Sequence, residues 1–197
     1  MIPYYESVLE VIRDSIQSIP EAEYERLITE CIHALKNGGK IIASGLGKNV
    51  PICEKFVGTL NSLGIDARFL HTNTAVHGDL GMVCKNDLLI LLSKGGNTYE
   101  TVMLAEHLKK RETNTWLMTF TDKCKCAELV NKRLIMHLKT EGDEWDIVPN
   151  NSTTVYLVVL QGIAVEIGKR MGVTLHDFMV NHPGGGIGAK LSGRDLW

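Results

Sequence analysis

No apolar run in this 197-residue sequence is long enough to span a bilayer, and no tract is low in complexity or repeats at a solenoid spacing. A helical membrane protein and a repeat array are therefore not expected. An excess of one charge is missing as well. With 21 basic and 23 acidic residues the formal charge is −2, so nucleic acid is not the default partner. Cysteine is sparse and odd in number: Cys31, Cys53, Cys84, Cys124 and Cys126. With no disulfide-rich spacing and no signal-peptide pattern, free thiols in a reducing cytoplasm are expected. Cys124-x-Cys126 has no second ligand pair at a sensible distance, so no metal site is expected there. Linkers are also absent, and residues 1–197 read as one domain.

What is present is an alternation of strand and helix patterns. Residues 4–18 and the stretch opened by Pro20 have apolar residues at helical spacing, and Asn37-Gly38-Gly39 stops the second. These two helices, residues 1–38, read as an N-terminal extension packing on the domain or on another subunit. Short apolar runs then predict five strands: Lys40 to Ala43, Ala67 to His71, Leu88 to Leu92, Trp116 to Phe120 and Leu134 to Leu138. Helical stretches separate most of them, which implies right-handed crossovers and a parallel sheet covered on both faces, an α/β class. Between the second and third strands, Thr72 to Met82 reads as a polar loop with room for a short helix. Ser152 to Met171 predicts a long helix apolar on most faces. One sheet covers only one side of such a helix, so a subunit interface and an oligomer are expected. A short helix near Leu175 to Met179 leads into His182-Pro183-Gly184-Gly185-Gly186 and a tail.

Ligands in such sheets bind beyond the carboxyl ends of the strands. The loop Ser93-Lys94-Gly95-Gly96-Asn97-Thr98 lies at one such end and opens a helix, so amides and hydroxyls point toward the positive end of a helix dipole. That suits a phosphate. Ser44-Gly45-Leu46-Gly47-Lys48-Asn49 follows the first strand. A dinucleotide fingerprint fails there, because Val50 stands at the third glycine and His71 closes the second strand. The glycines instead leave room for a ligand close to the backbone, and Lys48 sits where the dipole disfavours a cation, which points to a clamp. His77, in His77-Gly78-Asp79-Leu80-Gly81-Met82, and His182 are candidates for acid–base work, and Glu100 is the carboxylate nearest a bound phosphate. For each there is a plainer reading: a surface histidine, or a favourable charge in a helix's first turn.

Together these segments resemble the sugar isomerase (SIS) domain family, and within it the short-form arabinose-5-phosphate isomerase branch without paired CBS domains. Gly45-Leu46-Gly47-Lys48, His77 to Met82, Ser93 to Glu100, Pro149 with Ser152-Thr153-Thr154, and His182-Pro183-Gly184-Gly185 carry the resemblance. It implies a three-layer α/β/α sandwich, with a five-stranded parallel flavodoxin-like sheet and active sites at subunit interfaces of a homodimer or homotetramer. It also implies aldose–ketose isomerisation of a sugar phosphate through an enediol, without a redox cofactor, most readily D-arabinose 5-phosphate to D-ribulose 5-phosphate. By motif, Lys48, His77, Glu100 and His182 fall on catalytic positions. Glu100 would be the base, Lys48 the partner of the enediolate, and the histidines would open the ring or shuttle protons. Ser44, Gly45, Gly47, Asn49, Ser93, Lys94, Gly95, Gly96, Asn97 and Thr98 would hold the substrate and its phosphate. Gly95 replaces the family's second serine and Asn97 its glutamate. A non-catalytic regulatory sugar-phosphate module is the other reading, which needs the phosphate loop but no base.

Overall fold

The computed structural model describes residues 2–130 and 132–193. Strands β1 (Ile41–Gly45), β2 (Ala67–His71), β3 (Leu88–Leu92), β4 (Asn114–Thr119) and β5 (Lys132–Ile135) form a five-stranded sheet in the order β2-β1-β3-β4-β5. Every neighbouring pair is parallel. This is the flavodoxin-like order, and its direction reverses between β1 and β3, which opens a crevice at their carboxyl ends.

Period-two alternation divides the strands between two apolar layers. Ile41, Ala43, Leu88, Ile90, Leu92, Trp116 and Met118 face one layer, and Ile42, Leu89, Leu91 and Leu117 the other. The first layer is closed by α2 (Glu21–Lys36), α3 (Asn49–Ser62) and α7 (Asn151–Arg170), with α1 (Ile2–Gln17) packed on α7. The second is closed by α5 (Tyr99–Lys110), with α4 (Thr72–Ala75) and α6 (Lys125–Leu129) beside it. Two helices of the C-terminal segment, α8 (Leu175–Asn181) and α9 (Gly185–Ser192), pack on each other.

Polar groups in the core tie helices to the sheet. Buried Tyr156 donates its hydroxyl to the Met118 carbonyl at 2.9 Å. Trp116 Nε1 and Lys132 Nζ both donate to Glu30 Oε2, at 2.9 and 2.7 Å, fastening α2 to the sheet's far edge.

Several limits differ from the sequence reading; β4, for one, spans Asn114–Thr119 rather than Trp116 to Phe120. β1 runs on to Gly45, because that residue pairs in register with His71 on one side and Leu92 on the other. A ladder on both sides overrides the turn propensity of Ser44-Gly45. β5 lies earlier than expected, over Lys132–Ile135, since it pairs with β4 in a register that begins at Trp116↔Lys132. The tail after the glycine run is a helix, α9.

Candidate functional site

A cleft of about 150 Å³ opens at the carboxyl ends of β1 and β3. Lys48 and Asn49 reach it from the β1–α3 turn, and Ser93, Lys94, Gly95 and Thr98 from the β3–α5 loop. Thr101, one turn into α5, and Pro149 and Ser152, at the start of α7, complete it with Leu46 and Leu92.

The amino ends of α3, α5 and α7 therefore converge on one space. Thr98 makes no side-chain cap, so the first amides of α5 have no partner within their helix and are open to a ligand. The first amides of α3 close the preceding turn, Asn49 N donating to the Leu46 carbonyl at 3.2 Å and Val50 N to the Gly47 carbonyl at 3.1 Å. That helix contributes its dipole. Three positive helix ends and two lysines, Lys48 and Lys94, surround the cleft, and of the two lysines Lys94 is paired with the buried carboxylate of Glu141. This is a balance suited to a doubly charged phosphate.

Glu141 is fully buried, and its Oε1 lies 2.6 Å from Lys94 Nζ. Its Oε2 accepts the amides of Ser152 at 2.9 Å and Asn150 at 3.1 Å. Burial pushes this carboxyl up. Lys94 and the two amides outweigh it, and the net is a carboxyl held below its ordinary value. Glu141 thus joins the phosphate loop to the start of α7.

The loop is built tightly from behind. Ser93 Oγ accepts the Gly96 amide at 3.1 Å, which leaves the hydroxyl proton of Ser93 to donate. Gly96 has φ +61°, and a Cβ there would overlap Cys124 Sγ. The Gly96 carbonyl accepts the Cys126 amide at 3.0 Å. Cys126 is a packing residue of this strut: burial first, and neighbouring Cys124 next, push its thiol up to about 12.

Several residues named from the sequence do other work. Ser44 is buried, and its hydroxyl meets Thr72 Oγ1 at 3.0 Å, which fastens β1 to the segment carrying His77. Gly45 does not line the cleft: a Cβ there would lie 2.8 Å from Asn49 Cβ, so it lets α3 start close to β1. Gly47 turns the chain at φ +60°. Asn97 faces away, its Oδ1 accepting the Lys125 amide at 2.9 Å. Asn49 lines the cleft and donates to the Leu92 carbonyl at 3.4 Å.

Of the four candidate catalytic residues, Lys48 lines the cleft and the other three stand outside its lining. His77 is exposed on the turn after α4, at the same edge of the sheet, where Thr74 Oγ1 donates to Asp79 Oδ2 at 2.6 Å. Glu100 is half-buried in the first turn of α5. His182 is at the other end of the molecule. It follows α8, whose Asn181 donates to the Ser62 carbonyl at 3.3 Å, at the far end of α3. A helix of that length spans roughly 20 Å. In a single chain, His182 and the cleft do not meet.

Sequence reasoning missed Glu141, Thr101, and the direct part of Pro149 and Ser152 in the cleft. Thr101 was legible, since it stands one turn beyond Thr98 on the same helix face. Glu141 was not, because it is one acid in the acidic segment Thr140 to Pro149 and is distant from Lys94 in sequence. Among the described residues, no group of three or more His, Cys, Asp or Glu is placed to hold a metal ion, and no helix is long and apolar enough to cross a membrane.

Comparison with known proteins follows the same lines. The chain matches the SIS domain over residues 34–165. It is 31% identical over 184 residues to the arabinose 5-phosphate isomerase KdsD of Salmonella typhi, a match covering 93% of this chain and 56% of that protein. The KdsD protein of Pseudomonas aeruginosa is 31% identical over 179 residues, 91% of this chain and 55% of its own length. The chain thus spans about half the length of the curated relatives it matches. A protein of E. coli CFT073 solved in complex with arabinose 5-phosphate superposes with a TM-score of 0.85 at 32% identity, covering 91% of this chain and 94% of the other. The sugar isomerase domain of an RpiR transcription factor from Sphaerobacter thermophilus has the same fold, with a TM-score of 0.73 at 18% identity over 91% of this chain and 94% of its own. The chain belongs to the SIS domain family.

Proposed function

We propose that this chain is a sugar-phosphate isomerase that interconverts an aldose and a ketose through an enediol, with D-arabinose 5-phosphate and D-ribulose 5-phosphate as its pair. The observation that carries the reading is the convergence of three helix amino ends, Lys48, Lys94 and Ser93 on one cleft. The sugar's phosphate binds there, against the open amides that follow the loop and the Ser93 hydroxyl. Lys94 supplies charge where the family's second serine would supply a hydroxyl. The carbon chain then extends toward the edge of the sheet.

Glu100 takes the proton from C2 of the aldose and returns it to C1. Lys48 stabilises the negative oxygen of the enediolate. His77 and His182 handle the hydroxyl protons and the opening of the sugar ring. His182 comes from a neighbouring copy, because its own chain holds it at the opposite end of α3. The working unit is a homo-oligomer with shared sites, and the free thiols fit a reducing cytoplasm.

Proton exchange followed by NMR tests the proposal. In D2O, arabinose 5-phosphate should take up deuterium next to its carbonyl carbon as ketose appears, and the wrong sugars of a pentose, hexose and heptose phosphate panel should not. Saturable binding of the panel without exchange would replace the enzyme with a regulatory module of the same fold.

A further inference from the structure

His182 is held from two sides within its own segment. Its Nδ1 lies 2.8 Å from the Phe178 carbonyl, and its ring stacks on the Phe178 ring with centroids 3.9 Å apart and planes 24° from parallel. A carbonyl can only accept, so the neutral imidazole carries its proton on Nδ1 and its lone pair on Nε2. Nε2 has no partner among the described residues, and the side chain is half-buried rather than enclosed.

The surroundings are built to keep this arrangement. Thr174 and Asp177 form a reciprocal cap at the start of α8, with Thr174 N donating to Asp177 Oδ2 at 2.8 Å and Asp177 N to Thr174 Oγ1 at 3.2 Å. That cap closes the first turn of the helix on which Phe178 stands and which His182 ends. On the other side, α9 packs so closely that a Cβ on Gly188 would lie 2.5 Å from the His182 carbonyl oxygen.

We propose that Phe178 is a positioning residue for the reaction: its ring and its carbonyl hold His182 with the proton on Nδ1, so that Nε2 is offered as a proton acceptor to sugar in a neighbouring copy's cleft. The inference rests on the isomerase reading and deepens it by giving His182 its direction of work. In ring opening or in proton shuttling, a sugar hydroxyl's proton arrives at Nε2 and leaves from it. Nδ1–H stays on the Phe178 carbonyl throughout, so no ring flip is needed between steps. Among the described residues no such carbonyl holds His77, so the two histidines are not equivalent.

The test joins a spectroscopic and a kinetic measurement on the full chain, in its assembled form. Two-bond 1H–15N correlation spectra of histidine-labelled protein report which nitrogen carries the proton, with the His182 signal identified by its loss in His182→Gln. Phe178→Leu removes the stack but keeps the carbonyl. It should move His182 from the Nδ1–H form toward a mixture and lower kcat for arabinose 5-phosphate about ten-fold, with KM nearly unchanged. Phe178→Tyr keeps the stack and should restore both. A lower kcat with the tautomer unmoved, or a moved tautomer with kcat unchanged, would overturn the inference. Wild-type turnover in His182→Gln would defeat the placement of His182 in the site and, with it, any part for Phe178. If the unsubstituted chain does not turn over, the isomerase reading fails, and the spectra still decide whether Phe178 holds the tautomer.

Discussion

Glu141 has no exposure to solvent, and its carboxylate serves Lys94 on one oxygen and two amides at the start of α7 on the other. Removing one member of a buried pair is costly because the other is left uncompensated. Lys94 is 43% exposed, which softens the loss. Glu141→Gln should therefore destabilise the chain by about 2 kcal/mol at pH 7, read from urea unfolding. The sign with pH follows from the depressed carboxyl. Its stabilisation is complete above the unfolded value, about 4.3, and disappears as pH falls through the lower folded value. The gap between wild type and Glu141→Gln should close in that acid range; a gap independent of pH would mean that the ionised form is not what stabilises. Gly95 lends itself to the opposite kind of change. It lines the cleft, has an ordinary backbone conformation, and a Cβ there meets nothing within 4 Å. Gly95→Ser should fold normally and bind sugar phosphate several-fold more tightly, by about 1 kcal/mol, in a titration. Weaker binding would place the phosphate elsewhere.

At the scale of the element, the phosphate loop takes its shape from α6 as much as from its own glycines. Gly96 combines a left-handed backbone with a contact that leaves no room for a methyl group against Cys124. Gly96→Ala meets both penalties, strain and overpacking, and should cost about 3 kcal/mol in a thermal or urea unfolding measurement. Binding of inorganic phosphate should fall with it, because the amides that face the ligand follow Gly96 closely. Full stability in this variant would show that α6 is free to move away. The same loop ties Asn97 to its own scaffold: its oxygen accepts the first amide of α6. Sequence spacing alone places Asn97 among its pocket-lining neighbours, because a loop's residue order does not reveal which side chains turn back to their own scaffold.

For the whole molecule, α7 is the central element. Val155, Tyr156, Val159, Leu160, Ile163, Ala164 and Ile167 are buried against the sheet layer, while Val158 and Val165 are exposed at 41% and 63%. Gly162 lies between those two on the same open side, next to Tyr24 of α2. An apolar stripe on a helix already buried on its other side is where the proposed neighbouring copy would pack. Val165→Glu should lower the mass measured by light scattering at micromolar concentration, with helical circular dichroism retained. An unchanged mass would remove this face from the assembly. A shared site also has a direct signature. Lys48→Ala and His182→Gln, each inactive alone, should regain activity when mixed and allowed to exchange subunits.

Local pattern alone was enough for most of the elements, though not for α9, and for most of the loop that faces the ligand. β2 and β3 have the limits that their apolar runs predict, and the covered parallel sheet follows from the strand–helix alternation, because both depend on residues close together in the chain. The position of Ser93 to Thr98 at the switch point follows in turn, since topology constrains where a strand ends. Only the tertiary structure decided which side chains share the cleft. It turned Ser44 into a tie to Thr72, set Glu141 beneath Lys94, brought in Ser152 and Pro149, and carried His182 to the far end of α3. Each of these depends on contacts between residues far apart in sequence. Periodicity and turn chemistry carry no record of such contacts, which are fixed by how the layers pack.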